Sequence, residues 1–349
     1  MRHLNARLAA AAAAATFRTA GASMSAPVPL YYNDIYQVDL PKTSSFPMQK
    51  YRYVREALQR ELPSTLATFH ESPLVSEKDL TLVHCEGYVS RFLGGQLTRD
   101  ELRRIGFPWS LQHVNRALSS TGGTVAAAHA VCRADATTTF AGHIAGGTHH
   151  AFADRGEGYC VFNDIAVAAA VALRDHAARV QRVLVVDCDV HQGNGTASIF
   201  AGDERVFTAS FHCEANLFSA REASDLDVDL PPGVGDEAYL EALQAHLPGL
   251  FERVRPQLCF FQAGVDVHES DRIGKLKLSS AGIKKRNALV YAAAARHGAR
   301  LVVTMGGGYP KDLDEGSVHF HRVVQSHMDC YRQCASAHAR LSRPGSPEA

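Results

Sequence analysis

The sequence predicts an α/β fold with a central parallel sheet between helical layers, and two observations carry that reading. Apolar runs at 183–186, 206–211, 258–261 and 301–305 are too short for helices. They barely alternate, as strands covered on both faces should not. Helical patterns separate the runs, and helices between strands imply right-handed β-α-β units and parallel pairing. Sheets of that kind bind ligands outside the carboxyl ends of their strands. The residues just after each run are therefore the first to read for chemistry.

Taken in order, 46–62 reads as a helix with Pro47 in its first turn. Residues 98–105 read as a second, because Thr98 precedes Glu101 by the spacing of a capping box. The small-residue stretch 123–132 follows, and then 139–144 as a strand. Asn163 and Asp164 are cap candidates for a helix over 164–178. A helical pattern spans 236–254, where Pro248-Gly249 should break or kink it. The last clear helix, 280–297, has Gly298 as its stop.

Composition narrows the function. Among 349 residues there are 36 basic and 36 acidic side chains, so the charge is balanced. That argues against direct nucleic-acid binding, which normally shows a basic excess. No run approaches the ~20 apolar residues of a membrane span, which argues against a membrane partner. The eight cysteines contain no Cys-x-x-Cys pair and read as free thiols in a reducing compartment. Residues 1–26 have Arg2, Arg7 and Arg18, many alanines and no acid. This is the composition of a transit peptide, or of a disordered extension. The first reading would send the protein to a mitochondrion or chloroplast, the second to cytoplasm or nucleus. Residues 336–349 are expected to form a disordered tail.

Four strand ends carry metal-ligand or acid-base residues. After 183–186 stands Asp187-Cys188-Asp189-Val190-His191-Gln192-Gly193-Asn194-Gly195, and after 258–261 stands Gln262-Ala263-Gly264-Val265-Asp266. Gly306-Gly307-Gly308-Tyr309 follows 301–305, and Gly146-Gly147-Thr148-His149-His150 follows 139–144. Singly, each has a bland reading as a turn, a helix cap or packing. Together they describe chemistry. Asp189, His191 and Asp266 can supply three ligands and leave a fourth position for water, the pattern of catalytic zinc. Two carboxylates nearly cancel the metal's charge, so a separate base is useful, and His149-His150 can provide it. Tyr309 can donate to an oxyanion. Metal, base and oxyanion donor add up to amide hydrolysis.

These stretches, with Gly158-Tyr159-Cys160-Val161-Phe162-Asn163-Asp164, resemble the zinc-dependent histone deacetylase family. The resemblance spans roughly 28–325. The run from His191 to Gly195 and Asp271-Arg272-Ile273-Gly274 look most like its class IV branch and the bacterial and plant relatives. It implies an arginase/deacetylase fold in a single domain over 28–335. It implies zinc on Asp189, His191 and Asp266, a His149–His150 pair oriented by Asp187 and Asn194, and Tyr309 polarising the carbonyl. Gly158 and Tyr159 would bind substrate, Tyr159 as a wall of the acyl-lysine tunnel. A structural potassium would sit on Asp187, Asp189, His191, Ser210 and Phe211, partly through main-chain oxygens. The substrate would be an acetylated or longer-acylated protein lysine.

Three departures qualify the pattern. The rim region Arg103-Arg104-Ile105-Gly106-Phe107-Pro108 lacks the acid of class I members, Asn216-Leu217-Phe218-Ser219 differs from the expected second wall, and Ser45 stands where relatives often carry arginine. Small acetylated amines such as polyamines remain an alternative substrate. An arginase-like binuclear hydrolase would share the fold, but Gln192 and Asn194 stand where it would need more carboxylates. A non-catalytic acyl-lysine binder would tolerate loss of a ligand or of Tyr309, and all are present.

Overall fold

The apolar runs lie side by side at the centre of one sheet. A computed structural model describes residues 26–216 and 218–341. The 1–26 extension lies outside them except for its last residue. The strands are β1 Val28–Tyr32, β2 Ala67–Glu71, β3 Phe140–His143, β4 Val183–Asp187, β5 Val206–Cys213, β6 Leu226–Leu230, β7 Leu258–Gln262 and β8 Arg300–Thr304. They form an eight-stranded sheet in the order β2-β1-β3-β8-β7-β4-β5-β6, and every pairing is parallel. Strands β3, β4 and β7 are buried along their whole length, as strands with both faces covered must be.

The helices are α1 Lys50–Glu61, α2 Glu77–Leu80, α3 Glu86–Leu93, α4 Arg99–Ile105, α5 Leu111–Cys132, α6 Asp164–Asp175, α7 Asn194–Phe200, α8 Asp236–Val254, α9 Ser280–Arg296 and α10 Val318–Leu341. Helix α5 packs on α6, while α8, α9, α10 and α1 form a second contiguous row. Because β3, β8, β7 and β4 are neighbours in the sheet, their carboxyl ends open side by side. That adjacency brings four motifs, separated by up to about 160 residues of chain, into one site.

Several elements differ from the sequence reading. Helix α1 begins at Lys50, so Pro47 precedes it. Helix α5 starts at Leu111, capped by Ser110, whose side chain accepts from His113 N. Gly122 and Gly123 lie inside it rather than before it. A β-carbon on Gly122 would stand 2.0 Å from Pro73 O, so the glycine allows helix and loop to touch. Helix α8 runs unbroken through Pro248. Proline cannot donate to the carbonyl four residues back, but Gln244 and Pro248 are exposed and water can serve that oxygen. Leu243, Leu247, Leu250 and Phe251 anchor both halves in the core. Helix α10 continues to Leu341, so the chain set aside as a tail from 336 is helical up to that residue. The capping box at Thr98 and Glu101 is present.

Candidate active site

The Asp-x-Asp-x-His run leaves β4 in a tight bend held by its own carboxylates. Asp187 Oδ1 accepts from Asp189 N at 3.1 Å, and Asp189 Oδ1 accepts from His191 N at 3.0 Å. From β7, Asp266 reaches across, and its Oδ1 accepts from Val190 N at 3.0 Å. His191 Nδ1 then lies 3.0 Å from Asp189 Oδ1 and 3.3 Å from Asp266 Oδ2. One ligand atom from each of the three residues falls within 4.8 Å of the others. Asp266 is 0 % exposed, and its Oδ2 has no hydrogen-bond partner. A buried carboxylate oxygen without a donor costs several kcal/mol unless a cation takes it, so the three residues fit a metal ion. Gly307 closes the floor. A β-carbon there would meet Asp266 Oδ2 at 2.0 Å, and its N–H donates to Asp189 Oδ2 at 2.8 Å.

His149 and His150 stand above this cluster with rings 4.0 Å apart. Their partners differ: His149 Nδ1 is 2.6 Å from Asp187 Oδ2, and His150 Nδ1 is 2.7 Å from Asn194 Oδ1. Burial disfavours the charged form of His149, but the Asp187 and Asp189 carboxylates outweigh it and raise its pKa to about 9. His150 has no carboxylate partner. Burial, with the charges of His149 and His191, holds it well below the ordinary value. Burial and the nearby Asp266 and Asp189 push the Tyr309 phenol well above its usual range.

What holds the histidine loop is a carboxylate the sequence offered only as a helix cap. Asn163 performs the capping, its Oδ1 accepting from Ala166 N. Asp164 turns inward and accepts from Gly147 N (3.1 Å), Thr148 N (2.7 Å), Thr148 Oγ1 (2.6 Å) and Thr124 Oγ1 (2.6 Å). Asp271 plays a similar part for Tyr309. Its Oδ2 accepts from Tyr309 N at 2.7 Å, while Arg272 N donates to Tyr309 O.

A cavity of about 590 Å³ reaches this cluster, lined by His149, His150, Gly158, Tyr159, Phe218 and Tyr309 among others. Tyr159 has φ 68°, a left-handed conformation costly for a non-glycine residue. Bonds from Gly158 N to Arg104 O and from Tyr159 N to Ile105 O hold it there. Phe218 packs edge-on against His150 with centroids 4.6 Å apart, so the departing segment still supplies an aromatic wall. Leu217 lies outside the described residues. At the mouth stand Arg103, Arg104 and Lys275, with Glu157.

Sequence reasoning missed Lys50. It is 1 % exposed, and its Nζ donates to Gly308 O at 3.1 Å and Gly306 O at 3.4 Å under the Tyr309 loop. No arginine stands at Ser45, whose carbonyl accepts from Arg272. A lone lysine in a helical pattern reads as a solvated face, and nothing local marks it otherwise. For the potassium residues, Asp187 and Ser210 are register partners across β4 and β5, and Phe211 follows, buried.

The histone deacetylase domain model matches residues 44–324. The chain belongs to the histone deacetylase family. An uncharacterized protein of Picosynechococcus sp. is 40% identical over 304 residues, 87% of this chain and 97% of its own. The histone deacetylase-like amidohydrolase of Pseudomonas aeruginosa is 36% identical, over 68% of this chain and 65% of that protein. Histone deacetylase 2 of Arabidopsis thaliana is 31% identical, over 68% and 63%. This chain thus spans just under two thirds of the length of those two relatives. The crystal structure of the HDA15 HD domain superposes with a TM-score of 0.70 at 21% identity, over 91% of this chain and 95% of that one, which shows the shared arginase/deacetylase-type fold. No helix of the described residues is long and apolar enough to cross a membrane.

Proposed function

We propose that this deacetylase hydrolyses the amide of acetylated or otherwise acylated lysine side chains in proteins, as a zinc enzyme. The observation that carries the reading is the orphaned Asp266 Oδ2 beside His191 Nδ1 and Asp189 Oδ1, below an unequal histidine pair. Zinc held by Asp189, His191 and Asp266 would act as a Lewis acid toward the carbonyl and acidify water. His150 is the proton acceptor: neutral, it donates Nδ1–H to Asn194 Oδ1 and keeps the Nε2 lone pair free. His149, protonated against Asp187, supports the developing negative charge. Tyr309 keeps its phenolic proton near neutral pH and donates it to the oxyanion. Tyr159 and Phe218 flank the lysine methylenes. A potassium ion on Asp187, Ser210 and Phe211, with main-chain oxygens of Asp189 and His191, belongs to the same proposal as a structural ion.

With Asp100 paired to Arg103, the lining residues Arg104 and Lys275 outnumber Glu157, which disfavours a cationic acetylated polyamine relative to a peptide without excess positive charge. The test is hydrolysis of acyl-lysine peptides and acetyl-polyamines by the zinc-loaded enzyme, with a chelated control. Peptide turnover that chelation abolishes supports the reading. Turnover of polyamines alone, or full activity after chelation, overturns it.

A further inference from the structure

Arg286, on α9, is among the largest fully buried side chains of the described residues, at 0 % exposure. A buried guanidinium ordinarily has a carboxylate partner, because leaving the charge without one is expensive. Here the oxygen partners are all neutral. Nη1 donates to Gly264 O at 2.6 Å and Cys188 O at 3.1 Å. Nη2 donates to Ala263 O at 3.1 Å and Asn287 Oδ1 at 3.0 Å, and Nε donates to Asn287 Oδ1 at 3.1 Å. All five N–H groups of the fork are thereby used.

The three main-chain oxygens belong to two loops. Cys188 directly precedes Asp189, and Ala263-Gly264 precede Val265-Asp266. Strands β4 and β7 pair up to Asp187 and Gln262, and Cys188 N still donates to Gln262 O at 3.0 Å. Beyond that bond the loops part to present the two carboxylates, so these carbonyls have left the ladder. One rigid, planar side chain collects them, and no other residue type offers five fixed donors.

We infer that Arg286 is a positioning residue for the metal site, a clamp that sets the spacing between the Asp189 and Asp266 loops. The inference rests on the reading of Asp189, His191 and Asp266 as the metal ligands. A metal tolerates ligand distances within only ~0.2 Å, and the main chain just before both carboxylates is tied to a single group. Asn287 completes the clamp. Its Oδ1 takes two of the five donors, while its Nδ2 donates to Gln333 Oε1 at 3.1 Å on α10. Lysine at 286 would keep the charge but lose the fork, and could not bridge both loops with the same geometry.

The experiment uses the full chain and two probes, zinc affinity by competition with a chromophoric chelator and the visible absorption of the cobalt-substituted protein. Arg286→Lys should weaken zinc binding by ~10–100-fold, the range seen when groups supporting metal ligands are removed, and should alter the cobalt ligand-field bands. Asn287→Leu, a milder loss that leaves two N–H groups without an acceptor, should shift both readouts in the same direction by less. Asn287→Asp, which retains the acceptor oxygens, should restore them. A variant that is merely less heat-stable but has wild-type zinc affinity and cobalt spectrum overturns the clamp and leaves Arg286 a core residue. If Arg286→Lys does not fold, the same readouts on Asn287→Leu decide, and unchanged values overturn the proposal. Wild-type protein that binds neither metal would instead refute the ligand assignment on which the clamp rests.

Discussion

Asp164→Asn isolates what the inward carboxylate does for the histidine loop. Each oxygen of Asp164 faces one main-chain N–H and one hydroxyl: Thr148 N and Thr148 Oγ1 on Oδ1, Gly147 N and Thr124 Oγ1 on Oδ2. Asparagine keeps one oxygen and turns an N–H₂ toward the other pair. The hydroxyl there can rotate and accept, but the amide N–H cannot, so one buried donor faces another. An unsatisfied buried donor costs ~1–3 kcal/mol, and each surviving bond loses charge assistance worth ~1 kcal/mol. Relief of the buried charge offsets part of this. The balance is a loss of about 2–4 kcal/mol, a large share of the ~5–15 kcal/mol of a typical domain. Urea unfolding, with the slope checked for constancy, reads the stability. Because Thr148 leads directly into His149, the metal-loaded variant should also lose ~10–100-fold in kcat, the scale of a displacement near 1 Å. A midpoint shift worth less than about 0.5 kcal/mol together with an unchanged kcat would refute the reasoning.

Asp266→Ala should abolish zinc binding and activity while leaving far-UV circular dichroism near wild type. Full zinc occupancy in that variant, by elemental analysis, would remove Asp266 from the ligand set. Tyr309→Phe should retain zinc but lower kcat by ~10²-fold or more, the worth of one oxyanion donor, and a near-normal kcat would exclude the phenol from the reaction. His84 is buried as the neutral ring, bonded to Phe152 O and Asn163 N, and burial lowers its pKa from 6.5 to about 4. Its contribution is therefore fully present above pH 6.5 and lost as pH falls through 4, an effect of about 3 kcal/mol. His84→Gln should flatten the dependence of stability on pH in that window, and an undiminished slope would assign the acid sensitivity elsewhere.

What the sequence could determine by itself was whatever short-range pattern controls. Unalternating apolar runs mark strands buried on both faces, and β4, β5, β7 and β8 follow from them. The strand-end rule then points to the residues that form the candidate metal cluster, to the histidine pair and to Tyr309. Asp189 and His191 share one bend and are legible together. Asp266 is legible because it ends another such run. The tertiary structure alone decided which polar side chains are buried. Lys50 and Arg286 sit in helical patterns where a cation ordinarily faces water, and Asp164 sits where a carboxylate ordinarily caps a helix. Each is instead turned inward toward main-chain groups far away in the chain, with Lys50 and Gly308 separated by 258 positions. The same limit hid the start of α5, the edge strands β2 and β6, and β1 beside β2. Their boundaries depend on what packs against them, as where Gly122 meets Pro73. Local propensity measures only a residue's neighbours in sequence, whereas burial of a charge is settled by donors and acceptors that folding brings from elsewhere.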